Sequence, residues 1–87
     1  MTYRIVIQKK AAKVLQSLPS SHLRKFSELL EILKVNPIPW KSFDVRKIKG
    51  IEDTYRVRIG DYRVIYFIDK ASKTIHILKF DIRGNVY

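Results

Sequence analysis

Three arginines set the chemical question. Arg56, Arg58 and Arg63 flank Gly60-Asp61 within the run Tyr55-Arg-Val-Arg-Ile-Gly-Asp-Tyr-Arg-Val-Ile-Tyr66. A Gly-X pair between two alternating runs reads as a two-residue hairpin turn. Such a turn sets a register in which Ile59 faces Tyr62, Arg58 faces Arg63, Val57 faces Val64 and Arg56 faces Ile65. Alternation then puts the three guanidiniums on one face, and Val57, Ile59, Tyr62, Val64 and Tyr66 on the other. Like charges directly across a sheet repel, so the cluster calls for an explanation. A guanidinium is planar, stays charged and presents five donors in a fork that fits phosphate oxygens. Two readings are open: a phosphate-binding face, or a solvated face whose repulsion is screened by salt.

Other residues bear on that choice. Lys47, Lys49, Lys79 and Arg83 could widen the basic patch, although each alone reads more simply as solvated surface. His76 stands among apolar residues of a strand, which fits a half-buried, hydrogen-bonded ring. His22 is expected near a helix start, facing solvent. The acidic residues are scattered and offer no carboxylate pair for acid–base work. No Gly-rich phosphate loop and no metal-ligand spacing occurs, so no cofactor or metal is expected. The chain has no cysteine, which excludes a thiol nucleophile, a Cys-based zinc site and a disulfide scaffold.

Regular elements must hold these residues. In residues 2–8, Tyr3, Ile5 and Ile7 alternate with Thr2, Arg4, Val6 and Gln8, as in a strand with one well-buried face. The period then changes. Ala11, Val14, Leu15 and Leu18 form a helical stripe over residues 9–18, stopped by Pro19. Ser20 or Ser21 offers an N-cap for a second helix, whose stripe is Leu23, Phe26, Leu30 and Leu33 and which ends at Asn36-Pro37. About two residues join the helices, as in an αα-hairpin. Residues 37–43 read as a loop with Trp40 and Phe43 packed over a core edge. Strands follow at Val45–Ile48, Thr54–Ile59, Tyr62–Ile68 and Thr74–Phe80. The order β-α-α-β-β-β-β implies the α+β class: an antiparallel sheet with both helices on one face.

The composition bounds the function. The 87 residues suit one domain over 1–87, and 46% are apolar, which excludes a disordered chain. No apolar run nears the roughly 18 residues of a membrane span. The start, Met-Thr-Tyr-Arg-Ile, lacks an apolar signal-peptide region, so a soluble cytoplasmic protein is expected. Eighteen Lys and Arg against eight Asp and Glu give a net charge of +10, which favours an anionic partner. A membrane surface is disfavoured, because both helical stripes are needed for the core.

The hairpin also resembles a known pattern. An aromatic residue, basic residues at i and i+2, a Gly-containing turn, then Tyr-Arg, two apolar residues and Tyr recur together in the RelE/ParE toxin superfamily. The leading strand, the helical hairpin, Lys-Ile-Lys-Gly at 47–50 and a terminal Arg83…Tyr87 stand in the family's order. Archaeal-type RelE proteins, which also favour arginines in the hairpin, look most similar. The resemblance implies a metal-independent mRNA endonuclease acting in the ribosomal A site. It also implies an acidic RelB-like antitoxin as partner, a monomeric free toxin and a heterotetramer with antitoxin. By the same resemblance Arg56 and Arg58 neutralise charge or move protons at the scissile phosphate, and Arg63 stabilises the transition state. Arg83 supports the reaction and Tyr87 stacks on the substrate nucleotide. Lys47, Lys49 and Lys79 would contact RNA. Better-known relatives carry lysines at the hairpin positions, whereas arginine, with a pKa above about 12, is a poor base. Two other functions are compatible with the fold: gyrase inhibition of the ParE type, and a non-catalytic basic nucleic-acid-binding module.

Overall fold

The end of the helical hairpin and the order of the strands decide where every candidate residue lies. The computed structural model describes residues 2–82. Strand β1 (Arg4–Ile7) leads through Gln8 into α1 (Lys9–Leu15), and α2 (Ser20–Val35) follows. Strands β2 (Asp44–Lys47), β3 (Thr54–Ile59), β4 (Tyr62–Asp69) and β5 (Thr74–Ile82) complete a five-stranded sheet of order β1-β5-β4-β3-β2.

The sheet is mixed. β2 to β5 pair antiparallel as expected, but β1 runs parallel to β5, with Ile5 opposite Ile75 and Ile7 opposite Ile77. This corrects the expectation of an all-antiparallel sheet. The helical hairpin carries the chain from one sheet edge to the other, so β1 and β2 become opposite edges and β1 meets the last strand. The crossover between the parallel strands β1 and β5 is thus all of residues 8–73, well beyond the dozen or so that parallel pairing requires.

α1 is shorter than its apolar stripe: Gln16–Leu18 form turns bonded back to Lys13, Val14 and Leu15. α2 is entered through Pro19 in an extended conformation, without a side-chain cap, so neither Ser20 nor Ser21 is the N-cap. Proline suits a helix start because the first backbone N–H groups have no intrahelical acceptor.

The core lies between α2 and the sheet face that carries Val57, Val64, Tyr66, Ile68, Ile75 and Ile77, each buried. Phe26 of α2 meets Phe80 edge-on with ring centres 5.0 Å apart, a favoured aromatic geometry. A bulge at Ile65/Tyr66 shifts the β4–β5 register, so that Ile65 pairs with Lys79 but Tyr66 with Ile77. The extra residue lets Ile75, Ile77 and Phe80 share the core face although they break strict alternation. Trp40 is 60% exposed and touches Tyr55 edge-on at 6.5 Å, whereas Phe43 packs against the core. Trp40 thus lies over the core edge formed by Tyr55 with most of its ring exposed.

Candidate active site

The β3–β4 hairpin forms in the register that its turn dictates. Arg56 pairs with Ile65, Val57 with Val64, Arg58 with Arg63 and Ile59 with Tyr62. Gly60 adopts a φ of +56°, a left-handed conformation that glycine takes without a Cβ clash. The three arginines share the face turned away from α2.

Pairing with the flanking strands orders that face into rows perpendicular to the strands, one side chain every 4.7–4.9 Å or so. One row reads Arg46, Arg56, Ile65, Lys79. The next reads Asp44, Arg58, Arg63, Asp81. A third places Thr54, Phe67, His76 and Val6 in line. The first row carries three cations and no anion. In the second an aspartate closes each end of the arginine pair, which answers the repulsion between the two guanidiniums.

The arginines differ in environment. Arg58 is exposed and Arg56 half-buried. The Arg63 side chain is only 16% exposed and lies 3.8 Å from the Asp81 carboxylate. Burial reduces screening of that pair and fixes the guanidinium's direction. On α2, Glu28 and Lys25 join Asp44, Arg58 and Phe43 around a cleft of about 330 Å³ beside the hairpin. Its charges balance, so an anion gains little there.

Other sequence candidates fall as follows. Lys79 shares the arginine face. Lys47 pairs with Tyr55 and therefore points to the opposite face, one strand position out of phase with Arg46. Lys49 lies in the exposed loop between β2 and β3, so neither lysine joins the arginine rows. Arg83 and Tyr87 lie outside the described residues. His76 is half-buried, its Nδ1 3.3 Å from Gln8 Nε2 and its ring 6.0 Å from Phe67, as its apolar setting suggested. His22 does not face solvent. It is half-buried under the hairpin turn, 4.5 Å from the Tyr62 ring, because the first turn of α2 lies across the hairpin end. Arg46 escaped the sequence reading. The loop between β2 and β3 has no two-residue signature, so nothing in it sets the register that brings Arg46 beside Arg56. Among the described residues no group of His, Asp and Glu could hold a metal ion, and no helix is long and apolar enough to cross a membrane.

This fold and this hairpin define a class. The sequence profile of the ParE toxin of type II toxin–antitoxin systems matches residues 5–87. A Methanocaldococcus jannaschii protein named RelE1 is 44% identical over 87 residues, covering 100% of this chain and 97% of its own length. The chain belongs to the RelE/ParE toxin family. Within it the likeness to archaeal RelE is pronounced. A chain in the Pyrococcus horikoshii RelE–RelB complex superposes with a TM-score of 0.87 at 49% identity, covering 99% of this chain and 100% of that one. A mutant form of free Escherichia coli RelE shares the fold, with a TM-score of 0.79 over 99% of this chain and 88% of that one, at 17% identity.

Proposed function

We propose that this chain is the toxin of a RelBE-type pair and cleaves mRNA in the ribosomal A site. One observation carries the reading: Arg58 and Arg63 face each other across the hairpin, with Arg56 on the same face and Arg63 anchored against Asp81. In the cleavage the RNA 2′-oxygen forms a bond to the adjacent phosphorus and the P–O5′ bond breaks. The departing 5′-oxygen takes a proton from water, and the products are a 2′,3′-cyclic phosphate and a free 5′-hydroxyl. Negative charge grows on the non-bridging oxygens in between, and fixed guanidiniums stabilise charge that develops at a known position. Arg63 supplies that stabilisation, and Arg56 and Arg58 neutralise the flanking charge. Arg83 assists, and Tyr87 stacks on a base to hold the attack in line. No metal takes part.

The 2′-hydroxyl proton needs an acceptor, and arginine is a poor one. His76, in the row beside the arginines, or a group of the ribosome serves instead. The regulator is an acidic RelB-like antitoxin, matched to a chain of net charge +10. The free toxin is a monomer of the cytoplasm and joins its antitoxin in a heterotetramer. Lys47 and Lys49, off the arginine face, contact ribosomal RNA.

Primer extension on message from a purified translation mixture tests this, with wild type, Arg63→Ala and Arg83→Ala side by side. New 5′ ends inside A-site codons are expected only with wild type and only on translated message. Loss of Arg63 lowers the cleavage rate by about 10²–10³. Intact message with wild type would sink the nuclease. The match to the ParE profile makes gyrase inhibition the reading to test next, and neither substitution would affect that activity.

A further inference from the structure

The row Arg46, Arg56, Ile65, Lys79 is unlike its neighbours. It carries three cations across four strands with no acidic residue, while the adjoining row carries two arginines and two aspartates. A row of cations at strand spacing spans roughly 14 Å from Arg46 to Lys79. Arg46 stands at the edge-strand end of this row. Its side chain is 71% exposed and forms a loose pair with Asp44 at 3.8 Å. A pair so exposed contributes little to stability.

We propose that Arg46 belongs to the RNA-binding machinery: a single RNA strand crosses the sheet with its phosphates along Arg46, Arg56 and Lys79. The inference rests on the nuclease reading for its biological substrate, but not for its test. Two features favour an RNA strand over an acidic peptide. The cations follow one straight cross-strand line, as a regularly charged backbone requires. The parallel row beyond them holds the half-buried Phe67 and His76 rings, 6.0 Å apart and tilted by 30°. A sheet face that sets aromatic rings beside cations is a stacking platform for unpaired bases. The two rows then divide the work. The all-cation row holds the strand, and the aspartate-bracketed Arg58–Arg63 pair is held ready for the reacting phosphate. Arg46 consequently sets affinity rather than the rate of the chemical step. Asp44 competes with the phosphate for Arg46.

A 2′-O-methyl single-stranded RNA dodecamer, which cannot be cleaved, provides the probe. Its affinity for the full chain is measured by fluorescence anisotropy over a range of salt. Losing one phosphate contact on a single strand lowers the salt slope by about 0.7. Arg46→Ala should show that drop, with Kd raised roughly three- to tenfold at low salt. Arg46→Lys should restore the slope, and Asp44→Asn should tighten binding. Arg24→Ala, an exposed cation on α2, controls for the general loss of one charge. A slope for Arg46→Ala equal to wild type or to Arg24→Ala overturns the proposal. So does weakened binding of a poly-glutamate peptide with RNA binding intact, which would make the row a protein-docking surface. Absence of message cleavage would defeat the nuclease and leave this result standing, because the probe reports binding alone.

Discussion

The His22 imidazole fills the space that a side chain at residue 60 would need: its Nε2 lies 2.8 Å from the position of a Cβ built on Gly60. Glycine is thus required twice at the hairpin turn, by a φ of +56° and by the ring above it. Gly60→Ala should destabilise the protein by about 1–2 kcal/mol for the left-handed conformation alone. The crowding against His22 adds to that. In urea melts, Gly60→Ala combined with His22→Ala should recover the crowding part, a coupling on the order of 1 kcal/mol. Strict additivity of the two changes would mean that His22 moves aside freely and does not brace the turn.

Tyr66 presents a second dependence, between the core and pH. Its ring is fully buried, its hydroxyl donates to the Pro37 carbonyl at 2.7 Å, and it stacks 5.8 Å from Tyr55. Burial, then the neighbouring Tyr55, raises the phenol pKa well above its ordinary value. The native state therefore keeps a proton that the unfolded chain sheds near pH 10 or so. Stability from this group is complete below that pH and declines as pH rises beyond it. Tyr66→Phe should cost about 1–2 kcal/mol at neutral pH through the lost hydrogen bond, and should flatten the alkaline decline. Parallel urea melts of both proteins at neutral and alkaline pH provide the check. An alkaline slope unchanged in Tyr66→Phe would assign the decline to other groups.

The turn between β4 and β5 makes the opposite prediction. The Ser72 side chain and backbone, in that order, hold the Asp69 carboxyl below its ordinary pKa, and the Ser72 N–H lies 3.3 Å from Asp69 Oδ1. A lowered folded pKa contributes stability that is present above the unfolded value and is lost as pH falls through the folded one. Ser72→Ala should move the Asp69 titration upward, toward the ordinary carboxylate range, in a carboxyl-detected NMR titration. The acid limb of stability should become shallower in the same variant. An unmoved Asp69 resonance would show that the Ser72 N–H, which the variant keeps, holds the carboxyl alone, with the hydroxyl engaged on Thr74 Oγ1 3.0 Å away.

The hairpin could be read from residue types because its two-residue turn leaves one register and its alternation leaves one face for Arg56, Arg58 and Arg63. Elsewhere the information is not local. β1 lies parallel beside β5 because of where the helical hairpin delivers the chain, which no alternation in Tyr3–Ile7 encodes. The bulge at Ile65/Tyr66 left a trace, since Ile75, Ile77 and Phe80 cannot share a face in a regular strand, but that trace has meaning only once β4 is its partner. Arg46 and His22 were illegible for the same reason: one needs the β2–β3 register, the other the packing of α2 over a turn far along the chain, at Gly60. The candidate site was visible where one hairpin builds it and hidden where four strands do.

The pairing of Arg63 with Asp81 is the remaining relationship with a functional consequence. The aspartate is 33% exposed and sits 3.8 Å from a guanidinium that is 16% exposed. Two opposite effects are conceivable for such an anion beside a phosphate-binding arginine. It could weaken the attraction for RNA, or it could hold the guanidinium in the direction that the transition state needs. The burial of Arg63 decides for the second, because a side chain so enclosed gains little attraction for distant phosphates but depends on its neighbours for orientation. Asp81→Asn keeps the shape and removes the charge. It should lower kcat for message cleavage by about tenfold or more, as expected when a reacting group is displaced slightly, with KM little changed and circular dichroism unaltered. A fall in KM with kcat intact would show Asp81 to be a brake on binding, and Arg63 to find its own orientation.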